Sequence, residues 1–465
     1  MGSLADMGIL GKSFSVKVVD KVVVSAEEPW TDHWLSFTNL DLLVPPFNVS
    51  SFFCYNKPSY GSFPTMLNSL KASLSRALAL YPPVSGDIAW NEAVGKNQIH
   101  CNNQGVDFIH AFADVELKEL NFYNPDESVE GKLMPDKQRG VCAVQVTELR
   151  CGGMVIAIKF DHRIVDGYSA NVFISSWADM NRSETPLMLP SFARSHMNPR
   201  SPTTYSPSID DVFCLYSPQS LPDGQNHKQG EDILVNRIYY IESEQLKSLQ
   251  SLASENGRRR SKLVAFTSFF WKKLALSMEE AGNGDKVCNV AVAVDGRRRL
   301  SEGDGVEKEK LMDSHFGNVL SMPYGTKKPQ ELNEMSLSNV AADVHEFLQI
   351  ATKKDHFLDL IDWVEEQGSR PLISKAFARG EMSVMVSAGQ RFHTMDEMDF
   401  GWGKLAFGSC HVPSERTDCF VMTMGSPINN EDWVVYMHVP LRHMNFIEAH
   451  ASHVFKPLNA DYLKI

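Results

Sequence analysis

The sequence predicts an α/β fold of two similar-sized domains, each a mixed β-sheet with flanking helices, joined by a long crossover loop. Three observations carry this. Strand-like and helix-like stretches mix along the 465 residues without the strict alternation of a parallel α/β sheet. The second half repeats the order of elements in the first, with no repeat at residue level. Between them, at 186–230, prolines recur at 186, 190, 199, 202, 207, 218 and 222 among Ser, Asn, Gln and Gly, the composition of a connector. The expected domains are therefore 1–185 and 231–465.

The first half opens with strand-like Ser15 to Val24 and Leu35 to Leu43. An amphipathic helix follows from about Pro64 to Leu80. Its Leu67, Leu70, Leu74 and Leu78 make one buried stripe, and Tyr81-Pro82-Pro83 stops it. Val141 to Thr147 and Met154 to Phe160 read as adjacent strands, and Ala170 to Met180 as a helix. After the connector come a strand at Ile233 to Ile241, helices at Ser243 to Asn256 and Leu263 to Ala281, and a strand at Val287 to Val294. Helical patterning returns from Leu337 to Gln367. Strands at Asp418 to Met424 and Asp432 to His438 precede a last helix at about Met444 to Phe455.

Composition narrows the function. The net charge of −12 argues against a nucleic-acid partner. No apolar run reaches the roughly 18 residues of a membrane span, so no membrane partner is expected. Met1 to Asp6 lacks the basic start and apolar stretch of a signal peptide. Eight scattered cysteines form no Cys-x-x-Cys pair, so free thiols, a cytoplasmic location and no metal are expected. His443, His450 and His453 lack the frame of a zinc site and read as one helix. There is no Gly-x-Ser-x-Gly elbow, Walker loop or Rossmann glycine fingerprint.

The candidate site is Phe160-Asp161-His162-Arg163-Ile164-Val165-Asp166-Gly167. The apolar run Met154 to Phe160 reads as a buried strand that delivers an imidazole into the interior. Histidine titrates near neutral pH and is the default base for an alcohol or amine. A histidine at a strand end is more often a structural residue, so a second string matters: Asp399-Phe400-Gly401-Trp402-Gly403.

His-x-x-x-Asp-Gly followed by Asp-Phe-Gly-Trp-Gly resembles the BAHD acyltransferases, plant enzymes that move acyl groups from coenzyme A to alcohols and amines. Tyr81-Pro82-Pro83-Val84-Ser85-Gly86-Asp87 and Phe316-Gly317-Asn318 also match, so the resemblance covers nearly the whole chain. Within the family it is nearest to coniferyl alcohol acyltransferases, through strings such as Leu360-Ile361-Asp362-Trp363-Val364-Glu365. The resemblance implies a chloramphenicol acetyltransferase-like fold, with acyl-CoA and acceptor entering a tunnel between domains from opposite faces. It also implies that a segment near 370–400 packs with the N-terminal domain.

By the resemblance, His162 is the general base. Acyl-CoA is a co-substrate, and no cofactor is held permanently. Asp166 invites a catalytic-triad reading, but the family pattern turns it towards an arginine, with Arg297 and Arg299 both on the motif's positions. Asp399, Gly401, Trp402 and Gly403 form a structural loop. The polyanionic coenzyme needs a local basic patch, and Arg258-Arg259-Arg260-Ser261-Lys262 is the candidate, with Ser261 and Lys262 as contacts. Ser387 matches a hydroxyl residue near the reacting carbonyl. Gly389 stands where hydroxycinnamoyl-transferring relatives carry tryptophan, ahead of Arg391. That replacement argues against shikimate or quinate as acceptor and leaves room for an aryl-propenyl alcohol. The expected activity is acyl transfer, acetyl favoured, to the hydroxyl of a phenylpropanoid alcohol such as coniferyl alcohol, by a monomer. The alternatives are an N-acyltransferase joining an aromatic acyl-CoA to an amine, and a non-catalytic binding relative.

Overall fold

The computed structural model describes residues 12–58, 61–215, 233–255, 257–368, 370–378, 381–389, 398–413, 416 and 418–465. Two large mixed sheets dominate. The first runs in the order Val16–Val24, Val106–Ala113, Cys142–Leu149, Met154–Asp161, Asn48–Tyr55, Leu405–His411. Its only parallel pair is Val106–Ala113 with Cys142–Leu149. The second runs Tyr324–Lys327, Cys288–Val292, Met382–Ala388, Cys419–Gly425, Trp433–Pro440, Leu234–Ile241, Lys456–Pro457. There the Met382–Ala388 strand is parallel to both neighbours.

In the first half the helices Phe63–Leu80 and Gly167–Asn181 cover the sheet. The leucine stripe at 67, 70, 74 and 78 is buried as its spacing predicts. Trp177 locks the two helices together, its indole N–H donating to Ser73 Oγ at 3.0 Å and to the Leu70 carbonyl at 3.2 Å. In the second half, helix Lys262–Glu280 lays Phe266, Phe270, Trp271 and Leu274 into the core.

One expectation needs correction. Leu35 to Leu43 is not one strand. His33–Leu35 is extended, and Asp41–Leu43 is a 3₁₀ turn. The Asp41 carboxylate causes the turn by accepting bonds from the Thr38 amide and hydroxyl, both 2.8 Å.

The connector is more than a loop where it is described. Phe213–Leu215 pairs with Leu372–Ser374. Arg200 clamps Asp359 and Asp362 of helix Lys354–Gln367, each at 2.6 Å. The connector's Met197, Ile209, Val212 and Phe213 are buried in a core with that helix. Residues 216–230 lie outside the described part.

Near the end of 370–400, Met398 and Phe400 pack in the first half's core, and the Tyr55 hydroxyl donates to the Met398 carbonyl at 2.7 Å. Met382–Ala388 belongs to the second sheet, whereas Leu405–His411 becomes an edge strand of the first. Phe407 drives this by packing edge-on against Phe52 and Phe122, in a core drawn from both halves. Gly408 permits the approach, since a Cβ there would stand 2.9 Å from the Phe53 ring.

Candidate active site

A cavity of about 940 Å³ lies between the sheets, and His162 is in its wall. Strand Met154–Asp161 ends just before the histidine, and helix Gly167–Asn181 begins just after it. The His162 amide donates to the Phe47 carbonyl at 2.9 Å, and Asn318 Nδ2 donates to the His162 carbonyl at 2.9 Å. The backbone is thus held from two sides. The Phe47 ring meets the imidazole edge-on, with centroids 4.9 Å apart.

The imidazole's exposure is to the cavity. Its Nδ1 is sealed and has no hydrogen-bond partner of good geometry among the described residues. That leaves Nε2 as the nitrogen available to a substrate. Burial pushes the pKa of His162 below the ordinary histidine value. Its own backbone, the Asp166 charge and the Asn318 side chain pull the other way, and the Arg416 charge adds to the lowering. The imidazole is therefore neutral, a competent proton acceptor, at neutral pH.

Asp166 does not bond to His162. It caps helix Gly167–Asn181, its Oδ1 accepting from the Ser169 amide at 2.8 Å. Arg297 grips both oxygens, Nη1 to Oδ2 at 2.9 Å and Nη2 to Oδ1 at 3.1 Å. The Val319 amide adds a bond at 3.2 Å. Burial alone would raise this carboxyl's pKa, but Arg297 and the two amides more than offset it and hold it below the usual range. The triad reading thus has no hydrogen bond to rest on. Arg297, not the half-buried Arg299, is the partner, and it also donates to the Gly317 carbonyl, Ser169 Oγ and Asp295.

The Asp399–Gly403 loop stands outside the cavity wall. Asp399 Oδ1 accepts from the amides of Gly401, at 2.7 Å, and Gly403, at 3.2 Å, and Gly401 has a φ of +101° that glycine tolerates. Phe400 is buried against Trp177, and Asn181 and Arg182 donate to the loop's carbonyls. The loop ties the second half of the chain to a first-half helix.

Ser387 and Gly389 both line the cavity; Arg391 lies outside the described residues. Ser261 and Lys262 are not in the wall. Ser261 caps helix Lys262–Glu280 by accepting from the Val264 amide at 3.2 Å, with Arg258 and Arg259 exposed beside it. Of the C-terminal histidines, His443 bonds Ser277, His450 stacks on Phe446, and His453 is exposed. The eight cysteines form no disulfide among the described residues, and no described helix is long and apolar enough to cross a membrane.

Sequence reasoning missed much of the wall. Phe420, Met422 and Met424 project into the cavity, while Val421 and Thr423 turn to the opposite, buried side. The period of two was legible, the face was not. Phe47, Met398 and Arg416 also line the cavity, and no local pattern marks them.

The chain matches the model of the Transferase family over residues 14–454. It is 25% identical over 401 residues to the omega-hydroxypalmitate O-feruloyl transferase of Arabidopsis thaliana, covering 83% of this chain and 82% of that one. It is 25% identical over 417 residues to anthranilate N-benzoyltransferase protein 1 of Dianthus caryophyllus, covering 85% and 90%. The crystal structure of vinorine synthase superposes with a TM-score of 0.68 at 18% identity, over 95% of this chain and 99% of that one. With a family match that spans nearly the whole sequence, the chain belongs to the Transferase family, the BAHD coenzyme A-dependent acyltransferases.

Proposed function

We propose that the chain transfers an acyl group, acetyl favoured, from acyl-CoA to the hydroxyl of a phenylpropanoid alcohol of coniferyl type, with His162 as general base. The observation that carries this is a neutral imidazole, sealed at Nδ1, in the wall of a largely apolar cavity. Nε2 takes the acceptor's proton as the oxygen attacks the thioester carbonyl. The tetrahedral intermediate collapses, the C–S bond breaks, and the departing thiolate takes the proton back from the imidazolium. An ester and free coenzyme A thiol result. Positioned proton transfer contributes roughly 10²–10⁴-fold.

In this reading Ser387 lies along the reacting carbonyl, and Gly389 leaves space for the acceptor's ring. Ser261 and Lys262, beside Arg258 and Arg259, meet the coenzyme's phosphates outside the cavity. Asp166 and Arg297 hold the histidine's loop. The protein acts as a cytoplasmic monomer, in keeping with cysteines that form no disulfide; size-exclusion chromatography tests the monomer.

N-acylation uses the same histidine, and the similarity to an anthranilate N-benzoyltransferase favours keeping it as a second reading. Purified protein should be screened by mass spectrometry against a grid of acyl-CoAs with phenolic alcohols and amines. Ester formation with stoichiometric thiol release is expected. Amide formation alone selects the second reading. Binding without turnover, by calorimetry, would show a non-catalytic relative.

A further inference from the structure

Arg416 is a cation in the cavity wall. Its Cζ lies 3.7 Å from the centroid of Phe47, and the same ring touches His162. Phe47 therefore bridges the guanidinium and the imidazole. The same cavity wall includes the apolar Phe53, Met398, Phe420 and Met422 and the polar Ser409, His411 and Asp418.

The placement is built. The Arg416 amide donates to the Pro413 carbonyl at 3.0 Å. Its own carbonyl faces His438 Nε2 at 3.3 Å, and His438 is fixed by the buried Asn236 at 2.7 Å. The side chain is 21% exposed.

A guanidinium carries five donors in a planar fork. Among the described residues the structure gives it one side-chain partner, Asp418, at 2.7 Å from Nη2. Asp418 is itself 50% exposed, so it draws the guanidinium only at its outer edge. Among the described residues no second acceptor lies within hydrogen-bond range of the guanidinium. A fixed positive charge here also opposes the charge that His162 gains when it takes a proton. A substrate oxygen brought against Arg416 offsets both costs.

Resting on the acyl-transfer reading, we propose that Arg416 is a specificity-determining residue. Stacked on Phe47, it donates a forked pair of hydrogen bonds to two neighbouring oxygens of the acceptor, at the end remote from the hydroxyl that His162 deprotonates. Two chemistries present such a pair: the phenol and methoxy oxygens of a coniferyl-type ring, and a carboxylate.

The test uses the full-length wild type, Arg416→Gln and Arg416→Lys with three acceptors. Coniferyl alcohol carries the phenol–methoxy pair, 4-(hydroxymethyl)benzoate carries a remote carboxylate, and cinnamyl alcohol carries neither. Wild type should prefer at least one oxygen-bearing acceptor over cinnamyl alcohol by about 10- to 100-fold in kcat/KM, the range for hydrogen bonds from a charged donor. Which one it prefers identifies the oxygen pair. Arg416→Gln should bring that ratio close to one. Arg416→Lys, a point charge without the fork, should restore it only for a carboxylate. Equal losses on all three acceptors, with or without a lowered melt, would reduce Arg416 to a structural role and overturn the proposal. So would a wild type that shows no preference over cinnamyl alcohol while acylating it. A wild type that acylates none of the three would remove the acyl-transfer reading, and this inference with it.

Discussion

Arg297 and Asp166 are joined by two hydrogen bonds across 131 residues of sequence, with both side chains essentially sealed from solvent. The pair fastens the start of helix Gly167–Asn181 to the second half of the chain, and His162 stands on the turn just before that helix. Breaking a buried pair strands a charge, which costs about 3–5 kcal/mol. Asp166→Asn should therefore lower the melting temperature as clearly as it lowers turnover. The folded carboxyl titrates below its usual value, so its contribution is fully present above about pH 4 and is lost as pH falls through the folded value. An unchanged melt with collapsed kcat would restore the triad reading.

His162→Ala should abolish acyl transfer and leave a folded protein. The imidazole contributes little packing that the Phe47 edge contact alone would fail to replace. Turnover near wild type in a variant with an unchanged far-UV spectrum and melt would remove His162 from the mechanism.

The acid limb of kcat/KM should have its midpoint below about 6.5, the unperturbed histidine value. The base must be neutral, so activity is present above the folded pKa and fades as pH falls through it. Burial sets the direction, and the Arg416 charge acts the same way against the opposing Asp166. Initial rates at subsaturating acceptor across pH about 4 to 8 check this. A limb centred above the free value would contradict the buried geometry.

Asp399→Ala should act on stability first. The substitution frees the part-buried Gly401 amide and the exposed Gly403 amide from their shared acceptor, at about 0.5–1.5 kcal/mol for each bond lost where water can replace it. Because the loop is outside the cavity wall, the loss of kcat should track the loss of folded protein across temperature. A tenfold loss of kcat in a variant with a normal melt would place the loop in the chemistry.

How much of this was written locally explains what the sequence could and could not show. The strand into His162, the leucine stripe and the Asp399–Gly403 turn are each set by neighbours a few residues apart. The choice between Arg297 and Arg299 is not. Both stand on one short helix, Arg297–Ser301, and only packing against Asp166 decides which faces inward. The Leu405–His411 strand has no label for its sheet either; membership follows from where Phe407 finds Phe52 and Phe122. Arg416, within Ser-Glu-Arg-Thr-Asp, reads as part of a solvated charge run. Its approach to Phe47 joins residues far apart in the chain, so no window of sequence contains it.

Gly389→Trp should damage acceptor use selectively. Gly389 follows the Met382–Ala388 strand, and its amide donates to the Thr423 carbonyl at 2.7 Å, so its place in the wall is fixed by the second sheet. With Ser387 it lines the cavity that holds His162. An indole grown from this point has to enter that cavity or push the wall apart. Overpacking of this kind costs about 1–3 kcal/mol. If the cost falls on the acceptor's transition state, kcat/KM for the acceptor drops roughly 5- to 150-fold. Acyl-CoA comes from the other face in the proposed arrangement, so its KM should change little. Steady-state kinetics varying acceptor and donor in turn separate these effects. Equal losses for both, or none for either, would mean that Gly389 is not on the acceptor's side of the histidine.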